Sequence, residues 1–330
     1  LVDAARDSVL VTGGAGYVGS HVVLALCDAR WPVIVVDNLS TGRRESLPRG
    51  ALLIEGDAGD PGLLAELFAH HSVKAVLHFA ASTVVPDSVR RPLDYYRNNT
   101  LSSLYLMEAC VTGGIDAFVF SSSAAVYGNP EHSPVDEDAP AHPINPYGRS
   151  KLMTEQMLVD ASAALGLRHV ILRYFNVAGA DPQGRSGQAT AGATHLIKVA
   201  CEAALGKRRS VPLFGDDYPT ADGTCIRDFI HVSDLADAHV RALEHLIAGG
   251  PNLTLNCGYG RGFSVQEVLD TVAAVSGQNL AIERKPRRPG DAVEVVAATA
   301  RIRSELGWRP RYDDLERIIR DALAFEQLLS

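Results

Sequence analysis

The stretch Val9-Leu-Val-Thr-Gly13-Gly-Ala-Gly16-Tyr-Val-Gly19 decides the fold. A short apolar run leads into glycines at every third position, and a helical pattern follows from Tyr17 to Ala29. Each glycine has a steric reason. Gly13 makes the tight turn, Gly16 lets backbone approach a pyrophosphate, and Gly19 lets the helix pack closely on the strand. The helix N-terminus then presents unpaired N–H groups to phosphates. The strand before and the helix after distinguish this pattern from a chance run of glycines. Val33-Ile-Val-Val36 reads as the next strand, and Asp37 at its end is placed to accept from a ribose 2′-hydroxyl. A carboxylate there repels a 2′-phosphate, so NAD is expected over NADP. Arg43 and Arg44 are the counterargument, since nearby arginines can hold that phosphate.

Outward from this unit the strand–helix alternation continues. Strands are expected at Leu52-Leu-Ile54, Ala75-Val-Leu-His-Phe79, Ala117-Phe-Val-Phe120 and His169-Val-Ile-Leu172. Helices are expected near 61–70, 84–90, 98–112 and 146–165. That order implies an α/β protein with a Rossmann-type doubly wound parallel sheet. The rhythm breaks after about residue 177, where 178–193 is rich in Gly, Ala, Pro and Gln. Helices are expected further on at 194–206, 233–247, 264–276 and 312–328. Ile226 to Val232 and Leu253 to Asn256 read as core strands that rejoin the main sheet. The expected division is therefore a cofactor-binding domain over 1–177, with returning segments near 225–258. A smaller C-terminal α/β substrate lobe takes 178–224 and 259–330.

Two segments carry acid–base chemistry. Ser121-Ser-Ser-Ala-Ala-Val-Tyr-Gly128 and Asn145-Pro-Tyr-Gly-Arg-Ser-Lys151 put a serine, a tyrosine and a lysine in order. Tyr147 and Lys151 are spaced to share one helix face. A free tyrosine titrates near ~10, so a base useful at neutrality needs roughly 4 kcal/mol of selective phenolate stabilisation. A neighbouring ammonium supplies part of it. Asn145 reads as an N-cap and Pro146 as the first helical residue. Tyr147 then lies in the first turn, where the helix dipole favours an anion.

Composition narrows the partners. The chain has 330 residues, 46% hydrophobic and 21% charged, enough for a sizeable core. A net charge of −8 argues against nucleic acid. Five cysteines without a C-x-x-C pair read as free thiols in a reducing cytosol. Leu1 to Asp7 shows no basic-then-apolar signal pattern, and no apolar run approaches the ~20 residues of a membrane span. A cytoplasmic protein with no membrane partner is expected. No metal is expected either: there is no H-E-x-x-H, and His70-His71 and Asp216-Asp217 fall in helix-end and turn segments. The basic run Arg284 to Arg288 reads better as a diphosphate clamp than as a nucleic-acid patch in this acidic chain.

Taken together, these residues resemble the extended short-chain dehydrogenase/reductase family, and within it the nucleotide-sugar 4-epimerases. The specific pieces are Thr12-Gly-Gly-Ala-Gly-Tyr-Val-Gly19, Asp37-Asn-Leu-Ser-Thr-Gly42, Tyr95-Tyr-Arg-Asn-Asn99 and Arg173-Tyr-Phe-Asn176. Phe214 to Thr224, Ile226 to Val232 and Arg287-Arg-Pro-Gly-Asp291 complete them. By that resemblance Ser123, Tyr147 and Lys151 form the catalytic group. The NAD-contacting positions fall on Gly13, Gly16, Tyr17, Val18, Gly19, Asp37, Asn38, Ser40, Thr41, Gly42, Asp57, Ala58, Phe79, Ala80, Ala81, Asn98, Ser121, Tyr147, Lys151 and Phe175. The UDP-sugar positions fall on Ser123, Tyr147, Asn176, His195, Leu196, Phe214, Arg227, Arg288, Asp291 and Val295. A diphosphate suits planar guanidinium forks, which Arg227 and Arg288 provide from separate segments.

The resemblance implies an isomerase that interconverts UDP-glucose and UDP-galactose through a transient 4-keto sugar. A 4-epimerase of UDP-xylose and UDP-arabinose is the alternative. Related dehydratases need acids after the serine; here Ser123 is followed by Ala124 and Ala125. Non-catalytic NAD-sensing relatives typically lose the tyrosine or the lysine, and both stand here. Two departures are notable. Thr83 occupies a position where the family often has a lysine touching the nicotinamide ribose. Val295 occupies a sugar-pocket position that is a bulky tyrosine in some members, which implies room for an N-acetyl group. Family members commonly pair through two helices, here near 98–112 and 146–165, so a homodimer is expected.

Overall fold

Short apolar runs of the first half become the strands of one sheet. They are β1 (Ser8–Thr12), β2 (Val33–Asp37), β3 (Leu52–Glu55), β4 (Val73–His78), β5 (Ala117–Ser121) and β6 (Arg168–Tyr174). The structure, a computed structural model, describes residues 7–288 and 290–329. The opening residues read above for a signal pattern, and Pro289 of the Arg287–Asp291 motif, lie outside the described residues. The strand order is β6-β5-β4-β1-β2-β3, with every neighbouring pair parallel. A later strand, β10 (Leu253–Cys257), extends the sheet beyond β6. The order reverses between β1 and β4, which in open parallel sheets is where ligands meet the carboxyl ends of the strands. Val9, Leu10 and Val11 are all fully buried, as a sheet covered on both faces requires.

Helices α1 (Tyr17–Asp28), α2 (Pro61–His70), α3 (Val85–Arg90), α4 (Pro92–Tyr95), α5 (Ser102–Thr112) and α6 (Pro146–Leu165) connect these strands. Leu10, Ile34, Val76, Phe118 and Ile171 of the sheet pack with Leu64, Leu67, Leu106 and Leu158 of the helices. Each such side chain contributes about 1.5–3 kcal/mol by leaving water. Asn145 caps α6, its Oδ1 accepting from the Gly148 N–H at 2.9 Å, and Gly166 ends it in a left-handed conformation. The helix expected over 98–112 differs at its start: a π-helical turn, Tyr96–Leu101, precedes α5.

The chain divides into two compact units. The first comprises the residues up to Val126, Pro143–Arg173 and Ala236–Leu255; the second comprises Tyr127–His142, Tyr174–Leu235 and Asn256 onward. The division differs from the expected one: the first break comes at Tyr127, and the returning segment is Ala236–Leu255 rather than 225–258. The correction centres on β9 (Ile226–His231). It does not join the main sheet but forms a small sheet with β7 (Asn176–Ala178), β11 (Gly262–Ser264) and β13 (Glu294–Val295). The reason lies in its polar residues. The buried Asp228 carboxylate accepts N–H bonds from Tyr259, Gly260 and Ala297, all in the second unit.

The rest of the second unit comprises a parallel pair, β8 (Val211–Phe214) and β12 (Ile282–Lys285), with helices α7 (Leu196–Ala204), α9 (Val265–Ser276), α10 (Ala300–Leu306) and α11 (Leu315–Leu328). The helix α8 (Val232–Ile247) leads from β9 back to the first unit. Ser264 and Glu267 form a capping box on α9. Asp314 caps α11 and fixes its start three residues later than the sequence pattern suggests.

Candidate active site

The turn after β1 is held so tightly that only glycine fits. Gly13 has φ +69°, and a Cβ there would lie 2.5 Å from the Ala80 nitrogen. At Gly19 a Cβ would lie 2.2 Å from the Gly13 carbonyl oxygen, which is the close helix–strand contact read from the sequence. Asp37 braces the turn. Its Oδ2 accepts from the Ala15 N–H at 2.9 Å and its Oδ1 from the Leu39 N–H at 2.8 Å. The loop carrying Asn38, Ser40, Thr41 and Gly42 then folds back, and the Arg43 N–H donates to the Ala15 carbonyl at 2.9 Å. Gly16 precedes α1 without any side-chain cap, and no acid stands in the first turn at Tyr17 and Val18. A backbone this bare at a helix N-terminus, with an acid at the end of β2, fits a dinucleotide. Arg44 is bonded to Glu55 at 2.7 Å and Arg43 lies 3.6 Å from Glu45, so each faces a carboxylate. That arrangement fits NAD.

The other expected cofactor positions are spread along the strand ends. Asp57 is exposed and accepts from the Gly59 N–H, and Ala58 beside it is buried. The Phe79 N–H donates to the Thr12 carbonyl, and its ring packs 4.7 Å from that of His239. Ala80 and Ala81 are half-buried, and Thr83 is exposed. Asn98, on the π turn, donates to Ser82 Oγ at 3.1 Å. Phe175 is buried at the start of a second-unit segment, its N–H donating to the Cys257 carbonyl.

One face of α6 carries the residues expected to perform acid–base chemistry. Tyr147 and Lys151 are 7% and 3% exposed. Lys151 Nζ donates to the Ser121 carbonyl at 2.8 Å and sits 4.8 Å from the Phe120 ring centre. Burial pulls its ammonium down to about 7, against the opposing pull of the Glu155 carboxylate. Ser123 is half-buried at the end of β5, its Oγ accepting from the Ala125 N–H at 3.2 Å.

Two polar clusters near these residues were not anticipated from the sequence. In one, His78 links Thr12 Oγ1 at 2.6 Å to Ser103 Oγ at 2.8 Å. Ser103 donates its own proton to the Asn99 carbonyl, so His78 Nε2 carries the ring proton and Nδ1 accepts from Thr12. Burial, aided by the Lys151 charge, lowers His78 to about 3. Asn99 ties the π turn to Ser82 and to Ser150 of α6. In the other, Glu155 Oε1 accepts from Ser122 Oγ, and its two oxygens take the fork of Arg173. The available signal was Glu155 standing two turns beyond Tyr147 on the same helix face.

In the second unit three adjacent strands bring expected substrate residues together. Asn176 on β7 pairs with Phe229 of β9, and Val295 on β13 pairs with Arg227 of β9. Arg227 donates to Asp291, to the Ala292 carbonyl at 2.8 Å and to the Ile226 carbonyl at 2.7 Å. Arg288 lies over Phe214, 3.9 Å from the ring centre, and the Asp291 N–H donates to the Arg288 carbonyl. His195 and Leu196 sit at the start of α7, with His195 Nδ1 3.3 Å from Gln188 Nε2. Among the described residues no group of three or more His, Cys, Asp or Glu could hold a metal ion, and no helix is long and apolar enough to cross a membrane.

A glycine turn opening α1 over a parallel sheet, with an acid ending β2, defines a dinucleotide-binding protein. The model of the NAD dependent epimerase/dehydratase family matches residues 9–258, and the chain belongs to that family. It is 62% identical over 326 residues to the UDP-glucose 4-epimerase of Azospirillum brasilense, covering 99% of this chain and 94% of that protein. Among solved structures it resembles UDP-glucose 4-epimerase from Brucella ovis in complex with NAD. The TM-score is 0.94 at 44% identity, over 97% of this chain and 98% of the other. It also resembles the UDP-Glc/GlcNAc 4-epimerase from Campylobacter jejuni, with a TM-score of 0.86 at 45% identity over 98% and 100% of the two chains.

Proposed function

We propose that this protein inverts C4 of a UDP-hexose, interconverting UDP-glucose and UDP-galactose through a transient 4-keto sugar. The observation that carries the reading is the α6 face: a buried tyrosine one turn from a buried ammonium anchored on the Ser121 carbonyl at the end of β5. That pairing lowers the cost of a phenolate, and the first helical turn lowers it further. Tyr147 takes the proton of the sugar 4-hydroxyl and later returns it. Ser123 Oγ hydrogen-bonds the same oxygen and relays the proton. Lys151 keeps the phenolate accessible and would hold the nicotinamide ribose of bound NAD. Bound NAD supplies the hydride acceptor, which is regenerated in each cycle. Arg227 and Arg288 grip the diphosphate, Asp291 accepts from ribose hydroxyls, and Phe214 offers an aromatic face to the base. The sugar is held loosely, with Val295 against it, so that it can present either face.

Three extensions belong to this reading. Val295 leaves room for an N-acetyl group, so UDP-N-acetylglucosamine is a second substrate; Val295→Tyr removes that turnover and spares UDP-glucose. The chain works as a cytoplasmic enzyme. It also pairs with a second copy through α5 and α6, a view supported by the exposed apolar residues Leu101, Met153 and Val159 on and beside those helices. Light scattering of the eluting protein reads the mass, and a monomer would remove the dimer from the proposal. The central test incubates pure protein, without added cofactor, with UDP-hexoses, UDP-N-acetylhexosamines and UDP-pentoses, and identifies products by chromatography. Conversion of UDP-glucose is expected; conversion of pentoses alone would overturn the assignment.

A further inference from the structure

The pair Glu155–Arg173 is out of place as a stabilising device. Both side chains are buried, and a buried ion pair returns little more than its desolvation costs. Its position is informative. Tyr147, Lys151 and Glu155 stand at successive turns of α6, so one helix face carries a phenol, an ammonium and a carboxylate. The same face receives the end of β5 twice: Lys151 takes the Ser121 carbonyl, and Glu155 takes the Ser122 hydroxyl. Ser123 is the next residue.

Resting on the roles given above to Tyr147 and Lys151, we propose that Glu155 is a positioning residue that acts through Lys151 and Ser122. From one helical turn away it favours the charged form of the buried ammonium, and it pins the strand end that presents Ser123. Arg173 limits this effect by balancing part of the carboxylate charge. The titratable groups around Lys151 come from three elements. Tyr147 and Glu155 lie on its own helix, His78 comes from β4, and Arg173 of β6 acts through Glu155. The β5 strand contributes a carbonyl and the Phe120 ring. His78 is held neutral, so Glu155 is the negative charge opposing the desolvation of Lys151.

The test is the pH profile of kcat/KM for the purified holoenzyme. Activity needs Lys151 charged, so the alkaline limb reports its titration. Glu155→Gln keeps the shape and the acceptor for Ser122 but removes the charge, and the limb should move down by about one pH unit. The double variant Glu155→Gln/Arg173→Met leaves no orphaned charge and should fall between that variant and the unaltered protein. It also covers the case in which the single variant does not fold. Glu155→Asp should restore most of the limb. An unmoved alkaline limb in either folded Glu155→Gln variant, while Tyr147→Phe is inactive, overturns the role of Glu155 and leaves the main reading intact. Near-normal turnover by Tyr147→Phe overturns both.

Discussion

Around Lys151 the polar groups of the first unit are buried and bonded to one another, while Arg227, Arg288 and Asp291 of the second unit stand partly or wholly in solvent. Lys151, Glu155, Arg173 and His78 are each less than a tenth exposed. Arg288 is exposed, and Arg227 and Asp291 are partly so. The contrast matters because charges inside a low-dielectric wall shift one another's titration, whereas exposed charges are screened. The first arrangement suits a proton transfer that must be tuned. The second suits a ligand that must enter and leave.

The largest effect should follow from Tyr147→Phe, with kcat lower by at least ~100-fold, the scale of removing a general base. Next is Arg227→Lys. It loses the planar fork, and KM for UDP-glucose should rise by about 10- to 30-fold with a smaller change in kcat. If kcat fell and KM held, the contrast between a tuned wall and a binding cluster would fail. A third experiment reads the buried wall without substrate. His78 lies at about 3 when folded against an ordinary 6.5. The unfolded chain therefore binds more protons between those values, and the contribution of His78 is complete above about 6.5 and lost as pH falls toward 3. Urea unfolding at pH 6.5 and pH 5 should show about 2 kcal/mol more loss in the unaltered protein than in His78→Gln. Equal losses would show that His78 titrates normally. The smallest effect is expected at an exposed pair of the second unit: Arg320→Ala, which separates an i,i+4 partner from Glu316, should change stability by less than ~0.5 kcal/mol.

The same contrast explains what could be read in advance. The strands β1, β2, β4, β5 and β6 were legible because a parallel sheet buried on both faces demands continuous apolar runs, and the half-buried edge strand β3 because its Leu-Leu-Ile run is apolar too. The glycine turn, Asp37 and the Tyr147–Lys151 spacing were legible because each rests on local geometry. The strands β7, β11 and β13 are two or three residues long and leave no periodic trace. Pro212 obscured β8. The apolar ends of β9 suggested a place in the main sheet, and only the three N–H bonds taken by Asp228 show why it lies elsewhere. Glu155 and Arg173 meet because α6 lies against the β5–β6 register, a tertiary fact with no local signature. The chain Thr12–His78–Ser103–Asn99 was missed for the same reason.

Asp37 has a consequence for redesign. The carboxylate that reads as the sensor of an adenosine ribose is also a strut, fastened to the Ala15 and Leu39 amides. Recutting this protein for the 2′-phosphorylated coenzyme by exchanging Asp37 for a small neutral residue would unfasten the glycine corner along with the discrimination. An engineer would have to install a replacement brace first, and only then the cation that welcomes the extra phosphate.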